Sequence, residues 1–103
     1  MVLYGSGYGR DSGFEITLDS RQRPVAVGAS GLPGGANDMA AIRLTDDGSF
    51  DTTFGTNGVA LFQYQPVSRN DGSAIAFDAT GRIVIAGSID LGPPINMTFW
   101  RYE

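Results

Sequence analysis

The most distinctive segment of this chain reads Asp46-Asp47-Gly48-Ser49-Phe50-Asp51-Thr52-Thr53-Phe54-Gly55-Thr56-Asn57-Gly58. It begins and ends in turn residues, because Asp side chains bond the backbone just ahead of them and Gly accepts a positive φ. Phe50 and Phe54 stand between the two turns. Each aromatic ring contributes about 2–3 kcal/mol when it is buried. The stretch therefore predicts a connector between two structural units, anchored by two aromatic rings.

The carboxylates of this connector also raise the question of a calcium site. Asp46, Asp47 and Asp51 lie within six residues of one another. Their spacing differs from the Asp-x-Asp-x-Asp-Gly pattern of calcium-binding loops. We therefore expect these side chains to cap turns, and we predict no metal site and no cofactor.

The segments on the two sides of the connector are two copies of one pattern. Residues 11–19 match residues 70–78 at an offset of 59. The positions that recur in phase are Arg10 and Arg69, Gly13 and Gly72, Ile16 and Ile75, Asp19 and Asp78, Arg23 and Arg82, Val25 and Val84, and Gly28 and Gly87. One residue is then lost in a loop, and residues 39–44 match residues 97–102 at an offset of 58. Such a period indicates a repeat architecture.

Three segments of this pattern resemble the bacterial delta-60 repeat. They are residues 46–58, residues 78–87 and residues 99–102, and the most specific phrase runs from Phe50 to Gly58. The resemblance covers nearly the whole chain. It implies a β-propeller domain of unknown function, found mostly in long, often secreted or surface proteins. It brings no established catalytic residues.

The first copy departs from the second at the turn that follows its first strand. Gln22 and Pro24 stand where the second copy has Gly81 and Ile83. Gly is the residue that reaches a positive φ without steric cost, so its absence weakens the prediction of a tight turn in the first copy. The repeat itself rests on the other matched positions.

Composition favours an all-β protein and excludes several kinds of function. The chain has 103 residues, which allows one domain, and it contains 15 Gly and 11% aromatic residues. Its net charge of −4 disfavours binding to nucleic acid, which needs a basic surface. The absence of Cys and His removes disulfides, thiolate metal sites and the commonest general base.

The chain carries no obvious membrane or export signal. No apolar run approaches the roughly 20 residues that a membrane-spanning helix needs. Residues 1–4 run at once into a Gly-rich segment, which is unlike a signal peptide. We therefore expect either an intracellular protein or a chain without its export segment, whereas the family resemblance suggests a secreted or cell-surface protein.

The apolar runs and turns predict two four-stranded antiparallel propeller blades within a single unit, residues 1–103. Blade one covers residues 13–64. Blade two covers residues 72–102 and is completed by a strand at residues 1–4, contributed by a neighbouring chain. The apolar runs at residues 24–29 and 83–86 predict strands that are covered on both faces.

Two blades cannot close a ring, because propellers need about 4–8 blades. We therefore expect a homo-oligomer, with a homotrimer of six blades first and a homotetramer of eight blades as the alternative. Val2, Leu3 and Tyr4 would add to the strand at residues 97–102 of the next chain, which is a head-to-tail contact. The other interpretation is a fragment cut from a longer propeller protein.

Loops at one end of the blades offer candidate ligand-binding residues. Tyr8 lies in a Gly-rich loop and is a candidate for stacking on a sugar, and an Arg fork suits an anionic or polar ligand. The candidate ligand-binding residues are Tyr8, Arg10, Asp11, Arg69, Asn70 and Asp71. The alternative is a purely structural role, in which Arg–Asp pairs hold the turn beside the first strand of each blade.

Other polar and aromatic residues are expected to serve the fold. Arg43 and Arg101 lie within strands, so we expect them to bond loop carbonyls or carboxylates, including that of Asp51. Trp100 matches Ile42 in the repeat, which predicts packing in the core or between blades.

Two classes of function remain. The first is a non-enzymatic binding or scaffold propeller for a glycan or protein ligand. The second is a hydrolase or lyase with one central carboxylate site, for which Glu15 is the candidate acid. Loss of hydrolysis in Glu15→Gln would support this second class.

Overall fold

The chain is an all-β protein, as its short apolar runs predict. The computed structural model describes residues 3–8, 11–62, 69–90 and 96–102. Within these residues there is no α-helix, and Pro33–Gly35 form a short 3-10 turn. The described part of the chain forms seven strands, which are β1 (Ser12–Leu18), β2 (Pro24–Gly31), β3 (Asn37–Arg43), β4 (Val59–Phe62), β5 (Arg69–Phe77), β6 (Ile83–Asp90) and β7 (Asn96–Tyr102).

The strands form two antiparallel meanders within one open sheet. In the first meander β1 pairs with β2, β2 with β3 and β3 with β4. In the second meander β5 pairs with β6 and β6 with β7. The two meanders are joined by one parallel pair, Asn37 of β3 with Arg69 of β5. Residues 44–58 connect β3 to β4, so the connector lies inside the first meander, ahead of its last strand.

A β-bulge interrupts the first strand of each meander at the matched position. The register of pairing shifts just after Gly13 in β1 and just after Gly72 in β5. The strand that faces each bulge carries a glycine, because a Cβ on Gly28 or Gly87 would collide with the carbonyl oxygen opposite. Bulges bend a strand and increase its twist, so both meanders are shaped alike at this end.

The turns after β1 and β5 are held by the same contacts. The backbone N–H of Asp19 donates to the carbonyl of Arg23 over 3.0 Å, and Asp78 donates to Arg82 over 2.9 Å. Each Arg Nε donates to the Oδ2 of its Asp at 2.7 Å. Burial opposes ionisation of both carboxylates, but the hydrogen bonds outweigh it and hold the pKa of Asp19 and of Asp78 below its usual value.

The hydrophobic core lies between the two meanders. Val25, Val27 and Met39 of the first meander are buried against Ile83 and Ile85 of the second. Five larger apolar side chains pack against this core, namely Phe62, Ile75, Phe77, Trp100 and Tyr102. The prediction that Trp100 serves packing is therefore confirmed.

The connector is anchored by one buried ring and by a second, half-buried one. Phe54 is buried, and its ring lies edge-on to that of Tyr102 with 5.1 Å between the centroids. Phe50 is only half-buried and pairs with Leu44 in an isolated β-bridge. The predicted anchoring is confirmed for Phe54, whereas Phe50 remains at the surface of the fold.

Asp51 ties the connector to the end of β3 and to the turn just before β2. Its Oδ2 accepts hydrogen bonds from Arg43 Nε at 2.8 Å and from Arg23 Nη1 at 3.4 Å. Hydrogen bonds from the hydroxyl and the backbone N–H of Thr53, with the Arg43 charge, lower the pKa of Asp51 to about 2. The expected structural role of Arg43 is confirmed, whereas Arg101 is exposed at the matched position of β7.

The strands that were predicted to be covered on both faces are covered on one. In β2 the side bearing Val25 and Val27 is buried, and the side bearing Pro24 and Ala26 is only partly covered. In β6 the side bearing Ile85 is buried and the other side is again partly covered. The reason is geometric, because the two meanders of one chain supply only one shared layer.

The strand predicted at residues 1–4 was expected to pair with a neighbouring chain, and that pairing stays a prediction. Leu3 and Tyr4 have no strand pairing, and residues 1 and 2 lie outside the described residues. The hydroxyl groups of Tyr4 and Ser30 share a hydrogen bond of 2.7 Å, which places Tyr4 over the first meander of its own chain.

The turn after β1 yields a prediction on stability. Gln22 has a φ of 64°, in the left-handed region, where the matched residue Gly81 has a φ of 84°. Because this conformation is strained for any residue with a Cβ, we expect Gln22→Gly to raise the free energy of unfolding by about 0.5–1 kcal/mol. Gly81→Ala should lower it by about 1 kcal/mol. Urea unfolding at one fixed chain concentration measures both, and a destabilised Gln22→Gly variant would contradict this account.

Candidate functional site

Polar residues gather where the two meanders meet through their parallel pair. We call the group formed by Asp11, Asn37, Asp38, Asn70 and Asp71 the polar edge. Asn37 and Asp38 begin β3, while Asn70 and Asp71 follow Arg69 at the start of β5. The single parallel pair between these strands brings the two starts together. Most of the predicted ligand-binding residues therefore lie at one end of the fold.

Asn37 and Asn70 clamp the two meanders together. The Nδ2 of Asn37 donates to the carbonyl oxygen of Asn70 at 2.7 Å and to Asp71 Oδ1 at 2.8 Å. The Nδ2 of Asn70 donates in return to the carbonyl oxygen of Asn37 at 3.0 Å. Asn70 is fully buried. Its amide therefore holds the position of the polar edge and presents no surface to a ligand.

Asp11 fastens the N-terminal loop to the end of β2. Its Oδ1 accepts a hydrogen bond from the backbone N–H of Gly31, and its Oδ2 accepts one from Ser6, each at 3.0 Å. Desolvation acts to raise the pKa of Asp11, but these hydrogen bonds outweigh it and lower the pKa below its usual value. Asp11 thus remains ionised and shapes the loop that carries Tyr8.

Asp38 is the unusual member of the polar edge. Its side chain is 7% exposed, and among the described residues its Oδ1 has no hydrogen-bond partner. Burial raises the pKa of this carboxyl. A buried carboxylate oxygen without a donor destabilises a fold, so Asp38 lowers stability at the place where the two meanders meet.

The structure places the predicted site residues in three kinds of environment. Arg69, Asn70 and Asp71 were expected in a loop, but they are the first residues of β5, because they pair through their backbones with β6. Tyr8 is exposed, as a ligand contact requires, and Arg10 lies outside the described residues. The expectation that these residues bind a ligand stays a prediction.

A second concave surface was not anticipated from the sequence. An open cavity of about 810 Å³ lies beside the connector, and Leu3, Phe50, Leu61 and Tyr102 supply its apolar lining. It is separate from the polar edge, since the two share no residue. Phe50 lines this cavity, whereas the sequence predicted only an anchoring role for its ring.

The described part of the chain shows no metal cluster and no spanning helix. None of its Asp and Glu residues gather in a group of three or more that could hold a metal ion. No helix within residues 3–8, 11–62, 69–90 and 96–102 is long and apolar enough to cross a membrane. Glu15, the candidate acid of a central site, is exposed on β1.

Comparison with known proteins leaves the geometry as the guide to function. No family model, no curated protein and no solved structure matches this chain.

The two buried carboxylates of opposite character give a prediction on pH dependence. Folding raises the pKa of Asp38. The free-energy cost of burying its ionised carboxylate is therefore absent below the unfolded pKa of about 4 and appears as pH rises. We expect Asp38→Asn to be more stable than the wild type by about 1 kcal/mol at pH 7, with the difference fading below pH 4.

Asp51→Asn is the matched control, and its expected effect on the free energy of unfolding is opposite to that of Asp38→Asn. The folded pKa of Asp51 is about 2, so its contribution is present above about pH 4 and is lost as pH falls towards 2. This variant should be less stable than the wild type at pH 7 and should approach it at low pH. Urea titrations at several pH values measure both differences, and an Asp38→Asn variant that is weaker at pH 7 contradicts the assignment.

Proposed function

We propose that this chain is a non-enzymatic β-propeller module that assembles into a ring and acts as a scaffold or binding surface. The ring contains three chains in the first instance and four in the alternative. Its ligand is a glycan or a protein segment that binds at the end of the ring bearing the polar edge. The likeness to the delta-60 repeat in residues 46–58 supports the same architecture.

The observation that carries this proposal is the exposure of large apolar side chains on both outer sides of the fold. On the first meander Ile16 and Leu18 are 62% and 51% exposed. On the second meander Met97 and Phe99 are 78% and 66% exposed. Exposed apolar surface of this extent marks an interaction site in a water-soluble protein. Covering both sides requires a neighbour on each.

In a ring, neighbouring chains cover both exposed apolar sides of each chain. The two exposed sides differ from each other, so a contact that joins one to the other is heterologous, and such contacts close into a ring when the rotation per chain permits. Three chains of two meanders give six blades, which lies within the range of about 4–8 for propellers. Four chains give eight.

The polar edge then recurs around one end of the ring. Each chain contributes one copy of Asp11, Asp71 and the exposed Tyr8, together with the exposed Arg69. Weak single contacts repeated in this way add up, because binding at a second site becomes intramolecular. A multivalent glycan or a repetitive protein segment is the ligand class that uses such an arrangement.

Light scattering on the purified chain tests the assembly. We expect a solution mass of three chains, or of four, because apolar sides that are covered in the ring are removed from water. A strictly monomeric chain over a wide range of concentrations would contradict the proposed ring and favour a fragment of a longer propeller.

A glycan array tests the binding role. We expect the assembled wild type to bind particular glycans without turnover, and Tyr8→Ala to weaken that binding about tenfold through loss of aromatic stacking. Equal glycan binding by the wild type and Tyr8→Ala argues against the assignment of Tyr8.

A further inference from the structure

Inside the chain, the two meanders interlock through a methionine and a glycine. A Cβ on Gly72 would lie 3.0 Å from Cγ and 3.2 Å from Sδ of Met39, and 3.1 Å from Cγ2 of Ile85. Met39 is fully buried. Because Gly72 has no side chain, the Met39 side chain can pack directly against it, and Ile85 borders the same space.

The matched residues on the outside of the fold form the two halves of the same contact, but they do not meet. Gly13 corresponds to Gly72, and no described atom beyond its chain neighbours lies within 4 Å of a Cβ placed there. Met97 corresponds to Met39 and is 78% exposed. One chain thus presents an empty glycine position on its first meander and an unburied methionine on its second.

A cavity lies at that empty glycine position. It measures about 130 Å³, and Gly13, Ala26, Ala40 and Ile42 contribute to its lining. Ala26 stands here at the position that Ile85 has in the internal contact. Its smaller side chain leaves more space in the cavity than the internal contact has. Tyr4 borders the cavity while its hydroxyl bonds Ser30. We call this the Gly13 cavity.

The remaining apolar residues repeat the same difference between inside and outside. Ile75 and Phe77 pack against the core, whereas their counterparts Ile16 and Leu18 are exposed. The strand register places Ile16 on the same side of the first meander as Ala26 and Ile42. The exposed side of the first meander therefore matches, position by position, the side that the second meander buries.

We propose that Met97 of one chain inserts into the Gly13 cavity of a second copy of the same chain. This contact rests on the proposed ring and specifies how its chains meet. The second meander of one copy stacks on the first meander of the next, as the first stacks on the second within a chain. The interface continues the internal layer of Val25, Val27 and Met39 from chain to chain.

The alternative to this direction is contact between like sides. Two Gly13 cavities facing each other would leave both unfilled, and packing gaps forfeit the dispersion contacts of their lining. Two Met97 side chains facing each other would find no recess. The head-to-tail direction fills each cavity with the side chain that fills its internal counterpart.

Cysteine trapping tests the contact directly, because the chain contains no Cys. Gly13→Cys and Met97→Cys variants are mixed at equal concentration, oxidised and separated without reductant. We expect a covalent dimer in the mixture and far less in either variant alone, since a disulfide requires Cβ atoms about 3.5–4.5 Å apart. Dimers of Met97→Cys alone in similar yield overturn the head-to-tail direction.

A matched control uses another glycine with free space. Gly5 also has no described atom within 4 Å of its Cβ position, and neither Gly5 nor Gly13 has a φ in the left-handed region. Gly13→Leu should fill the cavity and weaken self-association by about tenfold or more, whereas Gly5→Leu should leave it within about twofold of the wild type.

The outcomes separate this contact from the ring that it presupposes. A wild type that assembles, with Gly13→Leu assembling equally well and no cross-link in the mixture, overturns the contact and leaves the ring standing. A wild type that stays monomeric overturns both. Assembly lost in Gly13→Leu and retained in Gly5→Leu, with the mixed cross-link, is the result that the geometry predicts.

Discussion

The two meanders pack against each other across one apolar layer, and this packing holds the fold together. Met39 lies against Gly72, and Val25, Val27, Ile83 and Ile85 complete the layer. Each such side chain contributes about 1.5–3 kcal/mol on burial, whereas a whole domain is stable by only about 5–15 kcal/mol. The layer therefore decides whether the chain folds, and the small residues that allow close approach are as important as the large ones.

The connector supports this layer from its edge. Arg43 lies with its Cζ 4.7 Å from the ring centroid of Phe54, while its Nε donates to Asp51. The charge of Arg43 is thereby satisfied on one side by a carboxylate and on the other by an aromatic face. Tyr102 packs on Phe54 from the second meander, so the connector links the two meanders as well as two strands.

Local patterns predicted most of the fold, because strand formation here follows alternation and turn chemistry. The strand at β7 was expected at residues 97–102 and is found at Asn96–Tyr102. The turn at Gln22 forms without a glycine, since Asp19 and Arg23 hold it by hydrogen bonds strong enough to impose a positive φ. The presence or absence of a glycine does not reveal such side-chain contacts within a turn.

The candidate site was harder to predict, because burial of polar groups depends on distant partners. Arg69, Asn70 and Asp71 look like a loop in the sequence, yet they pair with β6 as a strand. Asn70 is buried because Asn37, 33 residues away in the chain, supplies a carbonyl for its amide. Nothing near Asp38 in the sequence indicates that its Oδ1 would be buried with no hydrogen-bond partner among the described residues.

A repeat that stacks on itself always leaves one unused copy of each of its two sides. Within this chain the first meander uses the side bearing Met39, and the second uses the side bearing Ile75. What remains exposed is the side bearing Ile16 and the side bearing Met97. Under the proposed contact these two sides are complementary, as the two internal sides are, so stacking would continue from chain to chain. The rotation between successive meanders decides whether such stacking closes as a ring or extends as a fibre. The same contact closes a ring only when the rotation per chain divides a full turn and carries no translation along the axis, and otherwise it builds a fibre.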